Sequence, residues 1–236
     1  MTVAAPASPP PRRSRARRFL RRLSTAMIVL GVLVLADAIV TLLWQEPISA
    51  LYAHQRQNSL RHDLDKLDRQ PLASTDRAAI ARLQDDSRRL AYLARAFRRG
   101  LHDGEAIGRI RIASIGVDKV VVQGTGESDL MNGPGHYPAT PLPGAHGTVG
   151  IAGHRTTYGA PFRHLDGVHS GDRITVTMPY GTFAYRVQRT RIVPSDALWI
   201  TDRVGYDRLV LSACHPLYSA THRIVVFARL ASERLR

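Results

Sequence analysis

RLVLSACHPLYSATHRIVVFARL, residues 208–230, contains two β-like runs joined by a loop rich in turn-forming residues. Cys214, the only cysteine in the chain, lies where the first run ends, and Arg223 lies where the second begins. If the two runs pair as neighbouring strands, the loop between them returns Arg223 close to Cys214. This stretch therefore predicts both a β-rich fold and a place where reactive side chains meet.

The region from residue 104 to 236 continues the same pattern of short β-like runs separated by turn residues, with no long helical pattern between them. This arrangement predicts a closed or nearly closed all-β barrel over residues 104–236. Seven runs are apparent: IGRIRIASI, KVVVQG, GTVGIAG, DRITVTM, TFAYRVQRTRIV, RLVLSA and RIVVFARL.

Two interpretations of Cys214 are open from the residues alone. Free cysteine is among the most frequently buried residue types, so Cys214 could be a small core residue. As a nucleophile, the thiol would need a base or a cationic neighbour, because its ordinary pKa of about 8.5 leaves little thiolate at neutral pH. His154, at the end of the run GTVGIAG, is the candidate base, and Arg223 could hold a thiolate or an oxyanion. His215 is a rival base, but adjacent side chains on an extended chain point to opposite faces.

The N-terminal region combines positive charge with an apolar segment. The formal net charge is +14, and seven arginines lie between Arg12 and Arg22. The apolar run 26–44 directly follows and, at about 1.5 Å per residue, nearly spans a hydrocarbon core of roughly 30 Å. Basic residues flanking such a run predict a cytoplasmic tail over 1–25, a transmembrane helix over 26–44 and an extracellular remainder. A cleaved signal peptide and a nucleic-acid-binding arm are the weaker alternatives; contact of the basic tract with membrane lipid is favoured and nucleic acid is not expected.

Residues 45–103 are predicted to form a helical extracellular stalk between the membrane and the barrel. Pro71 separates two helical patterns, and the second is predicted to begin with Ser74 or Thr75 as its N-cap and to end near Gly100. The apolar stripe of this second helix is expected to pack on the barrel or on a second copy of the chain. Its members are Ile80, Leu83, Leu90, Leu93 and Phe97.

No cofactor and no metal site are predicted. The ten histidines are scattered, the carboxylates do not cluster, and a single cysteine cannot form a thiolate cage. The chain also contains no P-loop and no GxGxxG motif.

Two long motifs resemble those of the sortases, the cysteine transpeptidases of Gram-positive cell surfaces. AGHRTTYGAPF (152–162) and CHPLYSATHR (214–223) are most similar to class E, the actinobacterial housekeeping type, as is NGPGHYPATPLPGAHG (132–147). The resemblance implies an eight-stranded barrel with His154, Cys214 and Arg223 as the catalytic residues. The chain departs from the family at Val210 to Ala213, where the usual Thr-Leu-x-Thr sequence before the cysteine lacks both threonines.

The resemblance also implies a reaction and its partners. The thiolate would cleave a C-terminal sorting signal similar to Leu-Pro/Ala-x-Thr-Gly between Thr and Gly, and a peptide amine of the cell wall would accept the acyl group. His136, Tyr137, His215 and Tyr218 are candidates for the substrate groove; for the first two, a buried aromatic corner is the alternative. Two other functions use the same features: a membrane-tethered cysteine peptidase that releases acid, and a non-catalytic domain that binds the cell wall.

Overall fold

The computed structural model describes the backbone of residues 15–43 and 47–236, with the side chains of 17–39 and 49–236. Most of the predicted cytoplasmic tail (1–25), together with Trp44, lies outside the described residues. The chain divides into two compact units, residues 1–44 and 45–236.

The described residues of the first unit form one helix, α1 (Arg15–Leu43). Residues Arg17–Ile39 form a candidate membrane span with a mean hydropathy of 1.9, and none of the side chains in its apolar window is buried in the protein. A hydrocarbon environment accommodates an exposed apolar helix of this length. By length and composition, α1 agrees with the predicted transmembrane helix, but it begins earlier and includes part of the basic tract.

The second unit contains a closed barrel of eight strands in the order β1-β2-β3-β4-β7-β8-β6-β5. Neighbouring strands are antiparallel except for the parallel pairs β2/β3 and β4/β7. The predicted closed all-β barrel is therefore confirmed. The strands are β1 (Ala106–Ile112), β2 (Val117–Gln123), β3 (Gly135–His136), β4 (Thr148–Ala152), β5 (Arg173–Met178), β6 (Gly181–Pro194), β7 (Arg208–His215) and β8 (His222–Leu235).

Seven of these strands match the seven runs seen in the sequence. The eighth, β3, has only two residues, which is too short to show the alternation by which strands are recognised. It bridges β2 and β4 through the Val122–Gly135 and Gly135–Ala152 pairs and so closes the barrel.

Within the described residues of the second unit, three helices precede the barrel: α2 (Pro47–Arg69), α3 (Ser74–Ala81) and α4 (Asp86–Arg98). The single helix predicted to begin with Ser74 or Thr75 as its N-cap and to end near Gly100 is wrong, because the chain leaves the helix after Ala81 and starts again at Asp86. The Asp85 side chain caps α4 by accepting the Arg88 N–H at 2.7 Å. At the start of α3 the N-cap residue is Ala73, and no side chain caps that end.

Helices α2 and α4 pack on the barrel as integral parts of the second unit. Leu90, completely buried, joins Leu93 and Ala94 of α4 in the main barrel core, which confirms that the apolar stripe packs on the barrel. Burying one leucine in this way contributes about 2 kcal/mol. Leu60 and Leu64 of α2 form a second cluster with side chains of β1 and β2. The structure therefore has no boundary between compact units at residue 104, where the stalk was predicted to end.

A buried glutamine fixes α2 to the barrel. The Gln57 side chain accepts the Val120 N–H at 2.8 Å and donates to the carbonyl oxygens of Val120 and Asn132 at 3.1 and 2.8 Å. It supplies β2 with hydrogen bonds that the two-residue strand β3 is too short to provide there. This polar contact specifies how α2 sits on the sheet, and an apolar side chain in its place would leave buried backbone groups unpaired.

Candidate active site

Cys214 lies near the end of β7, the strand that runs between β4 and β8 in the barrel. Side chains alternate along β7, so Leu209, Leu211 and Ala213 enter the main core and Cys214 lies on the opposite face. The Cα atoms of Cys214 and Arg223 are register partners across the antiparallel β7/β8 pair. The thiol is half-buried, and the predicted return of Arg223 to its side is observed.

His154 follows strand β4, which ends at Ala152. Strand β4 is the neighbour of β7 on the side opposite to β8, so the His154 and Arg223 segments flank the strand of Cys214. Because β4 and β7 are parallel, both strands finish at the same end of the barrel. The Gly153 N–H donates to the Ser212 carbonyl at 3.0 Å, which aligns the backbone before His154 with the residue two positions before Cys214. A Cβ atom at Gly153 would lie 2.6 Å from the Phe162 ring, so the close approach of this segment requires glycine.

The His154 imidazole is partly withdrawn from water. Its Nδ1 lies 3.3 Å from Thr157 Oγ1, and its ring centroid lies 5.1 Å from that of Tyr158. Burial lowers the pKa of His154, and the nearby charge of Glu127 acts in the opposite direction. Nε2 is buried and has no hydrogen-bond partner among the described residues. An unpaired buried nitrogen is unusual unless a ligand or substrate uses it, and this one can accept or donate a proton.

The Arg223 guanidinium is hydrogen-bonded to the loop between β7 and β8. Its Nη1 donates to the carbonyl oxygens of Ala220 and His222 at 2.9 and 3.1 Å. Within the described part of the chain, its Nε and Nη2 donate no hydrogen bond, so these N–H groups can serve a substrate oxygen. The arrangement holds a positive charge beside the cysteine without using all of its donors.

Arg155 is a further residue of this site, and the sequence analysis did not identify it. The side chain is only 3% exposed, and all three guanidinium nitrogens are engaged. Nε donates to the Arg163 carbonyl at 3.2 Å, Nη1 donates to His215 Nδ1 at 3.0 Å, and Nη2 pairs with Asp166 at 2.9 Å. Because arginine can only donate, Nδ1 of His215 must accept, which places the proton of a neutral His215 on Nε2. Its position directly after His154 was the one available signal.

The four predicted groove residues have different surroundings. His136 is 1% exposed, and its ring nitrogens lie within hydrogen-bond distance of Gln123, Pro141 and Thr140. Burial lowers its pKa to about 4. His136 therefore occupies the buried position that was the alternative to a place in the substrate groove. Both of its ring nitrogens have partners within the protein, so neither is left for a peptide substrate.

Tyr137, His215 and Tyr218 lie nearer to the surface. The Tyr137 hydroxyl is 2.8 Å from Ser212 Oγ, two residues before Cys214 on the same face of β7. A Cβ atom at Gly150 would lie 2.6 Å from the Tyr137 ring, so this glycine makes room for the tyrosine. Tyr218 is 59% exposed, and its hydroxyl lies 3.5 Å from Arg163 Nη2. The structure thus places Tyr137 beside Ser212 on the Cys214 face of β7, His215 at the end of β7 and Tyr218 on the loop that follows.

Comparison with known proteins gives the family of this barrel. The family model described as "Sortase domain" matches residues 110–231, just over half of the 236-residue chain. The chain belongs to the sortase family. Sortase D of Bacillus subtilis is 31% identical to this sortase over 130 residues, which cover 53% of this chain and 64% of the relative.

Two Streptomyces proteins show a similar level of likeness. Sortase SrtE1 of Streptomyces coelicolor is 28% identical over 149 residues, 56% of this chain and 42% of the relative. The solved structure of sortase E from Streptomyces avermitilis matches with a TM-score of 0.52 and 30% identity, covering 57% of this chain and 93% of that one. This sortase therefore spans less than two thirds of the length of the curated relatives it matches.

Proposed function

We propose that this sortase is a membrane-anchored cysteine transpeptidase of class E, with Cys214 as nucleophile, His154 as general acid and base, and Arg223 as oxyanion donor. The observation that carries the proposal is that three neighbouring strands, β4, β7 and β8, bring these residues to the same end of the barrel. There, a half-buried thiol faces an arginine with unused donors, and a histidine with an unpaired Nε2 follows the neighbouring strand.

The acylation step follows from these positions. Cys214 gives its proton to His154, and the thiolate attacks the carbonyl carbon between Thr and Gly of a sorting signal similar to Leu-Pro/Ala-x-Thr-Gly. The free N–H groups of Arg223 stabilise the negative oxygen of the tetrahedral intermediate. As the C–N bond breaks, His154 returns the proton to the leaving amine, and a thioester between the substrate threonine and Cys214 remains.

The second step reverses the direction of proton transfer. A peptide amine of the cell wall attacks the thioester, His154 removes its proton, and the Cys214 thiolate leaves as a new amide forms. Burial lowers the pKa of His154 and so favours the neutral imidazole that takes this proton, which supports the role. The Tyr137, His215 and Tyr218 side chains are proposed to line the groove for the signal.

The proposed location places α1 in the cell membrane, the basic N-terminal tract in the cytoplasm and residues 45–236 outside. The length and hydropathy of the span support membrane insertion, and the arginines before it support the orientation. In this location the enzyme meets secreted proteins that carry a sorting signal, and also the cell wall that supplies the amine.

One experiment separates transpeptidation from the alternatives. The full chain in detergent is incubated with a sorting-signal peptide, with and without a peptide amine, and products and protein mass are followed by mass spectrometry. We expect an acylated wild-type protein and an amide product that requires the amine, whereas Cys214→Ala forms neither. Release of acid as the sole product would identify a peptidase, and turnover by Cys214→Ala would exclude the proposed nucleophile.

A further inference from the structure

The turn that follows His154 has an unusual backbone. Tyr158, Gly159 and Ala160 are consecutive and all have positive φ values, of 50°, 70° and 38°. Glycine adopts this left-handed region freely, but tyrosine and alanine disfavour it. Such a conformation persists only where the surrounding structure holds it in place.

Helix α2 supplies contacts that hold this turn. The Tyr158 N–H donates to Ser49 Oγ at 3.3 Å, a contact between residues 109 positions apart. Ala53, one turn further along α2, is 5% exposed and faces Gly159, where an added Cβ atom would lie 3.3 Å from the Ala53 Cβ. The small residues at 53 and 159 therefore allow helix and turn to touch.

The same turn contacts the catalytic imidazole. Thr157 places Oγ1 3.3 Å from His154 Nδ1, and the Tyr158 ring lies 5.1 Å from the imidazole with a 44° angle between the two planes. A hydrogen bond of 2.8 Å from the Ala160 N–H to the Thr157 carbonyl closes the turn. Displacing the turn would therefore move both side chains that contact His154.

We propose that the first turns of helix α2, through Ser49 and Ala53, hold Tyr158 against His154 and thereby position the acid–base group of the active site. Ser49, Ala53 and Tyr158 are positioning residues, and the inference rests on the proposed role of His154. The helix that follows the membrane span in sequence is then part of the catalytic apparatus. A barrel lacking residues before 104 would retain Cys214, His154 and Arg223 but lose this support.

The contact between Tyr158 and His154 is tested by the titration of the imidazole. Tyr158→Ala removes the ring and admits water, and Tyr158→Phe keeps the ring and removes the hydroxyl. The charge of Glu127 acts on His154, and the other charged or titratable groups of the site are Arg155, Cys214 and Arg223; none of these four residues changes in the variants. Both variants remove the Tyr158 hydroxyl, so they differ from each other only in the ring. We expect NMR of labelled histidine in the full chain to show a His154 pKa that rises towards its ordinary value in Tyr158→Ala, because burial lowers it, and stays low in Tyr158→Phe.

The contribution of α2 is tested with Ala53→Leu, which pushes a larger side chain against Gly159. The matched control is Gln55→Leu, on an exposed position of the same helix. A displacement of catalytic groups by about 1 Å costs about 10²-fold in rate, and we expect single-turnover acylation by Ala53→Leu to slow by that factor. Its His154 pKa should rise as well, whereas Gln55→Leu should match wild type in both measurements.

A gentler pair of variants covers the case in which Ala53→Leu fails to fold. Ser49→Ala removes the acceptor of the Tyr158 N–H, and Ser59→Ala removes an exposed serine hydroxyl of α2 that donates to the Gln55 carbonyl of the same helix. We expect acylation to slow by about 2- to 10-fold in Ser49→Ala, the equivalent of one ordinary hydrogen bond, and to stay unchanged in Ser59→Ala.

The inference is overturned if Tyr158→Ala and the variants of Ser49 and Ala53 titrate and react as their controls do. Failure of the wild-type chain to form a thioester would instead contradict the proposed function. The titration needs no substrate, so it decides whether α2 and Tyr158 set the environment of His154 in either case.

Discussion

Replacing Arg223 by lysine tests whether the guanidinium has a geometric task or only contributes charge. In the structure, Nη1 of Arg223 donates to the carbonyl oxygens of Ala220 and His222, while Nε and Nη2 donate to none of the residues that the structure describes and remain available for an oxyanion. Lysine keeps the positive charge but has a single nitrogen at the end of a flexible chain. That nitrogen cannot hold the loop carbonyls and also present a fixed pair of donors to the substrate.

The expected cost follows from the loss of one oxyanion donor. Such a donor is worth about 2.7 to 4 kcal/mol, so acylation should slow by about 10²- to 10³-fold in Arg223→Lys. Arg191→Lys is the control, because Arg191 is an exposed residue of β6. It pairs with Val225 of β8, two residues beyond Arg223, and so lies further from Cys214. Single-turnover acylation with a sorting-signal peptide measures both rates, and thermal unfolding checks that both variants are folded. Equal rates for the two variants would refute the oxyanion role of Arg223 and assign stabilisation to other groups.

Three further outcomes are expected. His154→Ala should reduce turnover by about 10²- to 10⁴-fold and His215→Ala by much less; the reverse order in steady-state assays would make His215 the acid–base residue. Leu90→Ala should lower the free energy of unfolding in urea by about 3 kcal/mol, against about 0.5 kcal/mol for the exposed Leu51→Ala, and a small effect at Leu90 would mean that α4 is not part of the core. His136 has a pKa of about 4 in the folded protein, below its ordinary value of 6.5, so the stability it contributes is complete above pH 6.5 and falls by about 3 kcal/mol as the pH drops towards 4. Urea titrations at several pH values should show this loss in wild type and a weaker pH dependence in His136→Gln.

The residues proposed for catalysis could be identified from the sequence because their signals are local. Cys214, His154 and Arg223 each lie at the end or start of an alternating run, and strand alternation is visible without any knowledge of the partners. The pairing of β7 with β8 followed from a short loop, which leaves two adjacent strands few alternatives. The parallel pairing of β4 with β7, which brings the segment of His154 to the same end of the barrel, was not readable, because it joins strands that are distant in sequence.

The surroundings of those residues required the tertiary structure. Apart from its position next to His154, nothing local distinguishes the buried Arg155 from the many exposed arginines of the chain, because its contacts depend on His215 and Asp166 arriving from other segments. His136 and Tyr137 are neighbours in one motif, yet His136 is buried and Tyr137 is half-buried. His136 belongs to β3, which pairs with β2 on one side and β4 on the other, whereas Tyr137 lies just beyond that strand.

The helices before the barrel show the same division. Amphipathic periodicity determines that residues 45–103 are largely helical and that one face of each helix is apolar, because that face must be buried somewhere. Whether that face is buried against a second copy or against the barrel is decided by long-range packing, which placed Leu90 in the barrel core and Ser49 beside Tyr158. A hydrophobic pattern specifies that a surface is to be covered, and only the folded chain specifies what covers it.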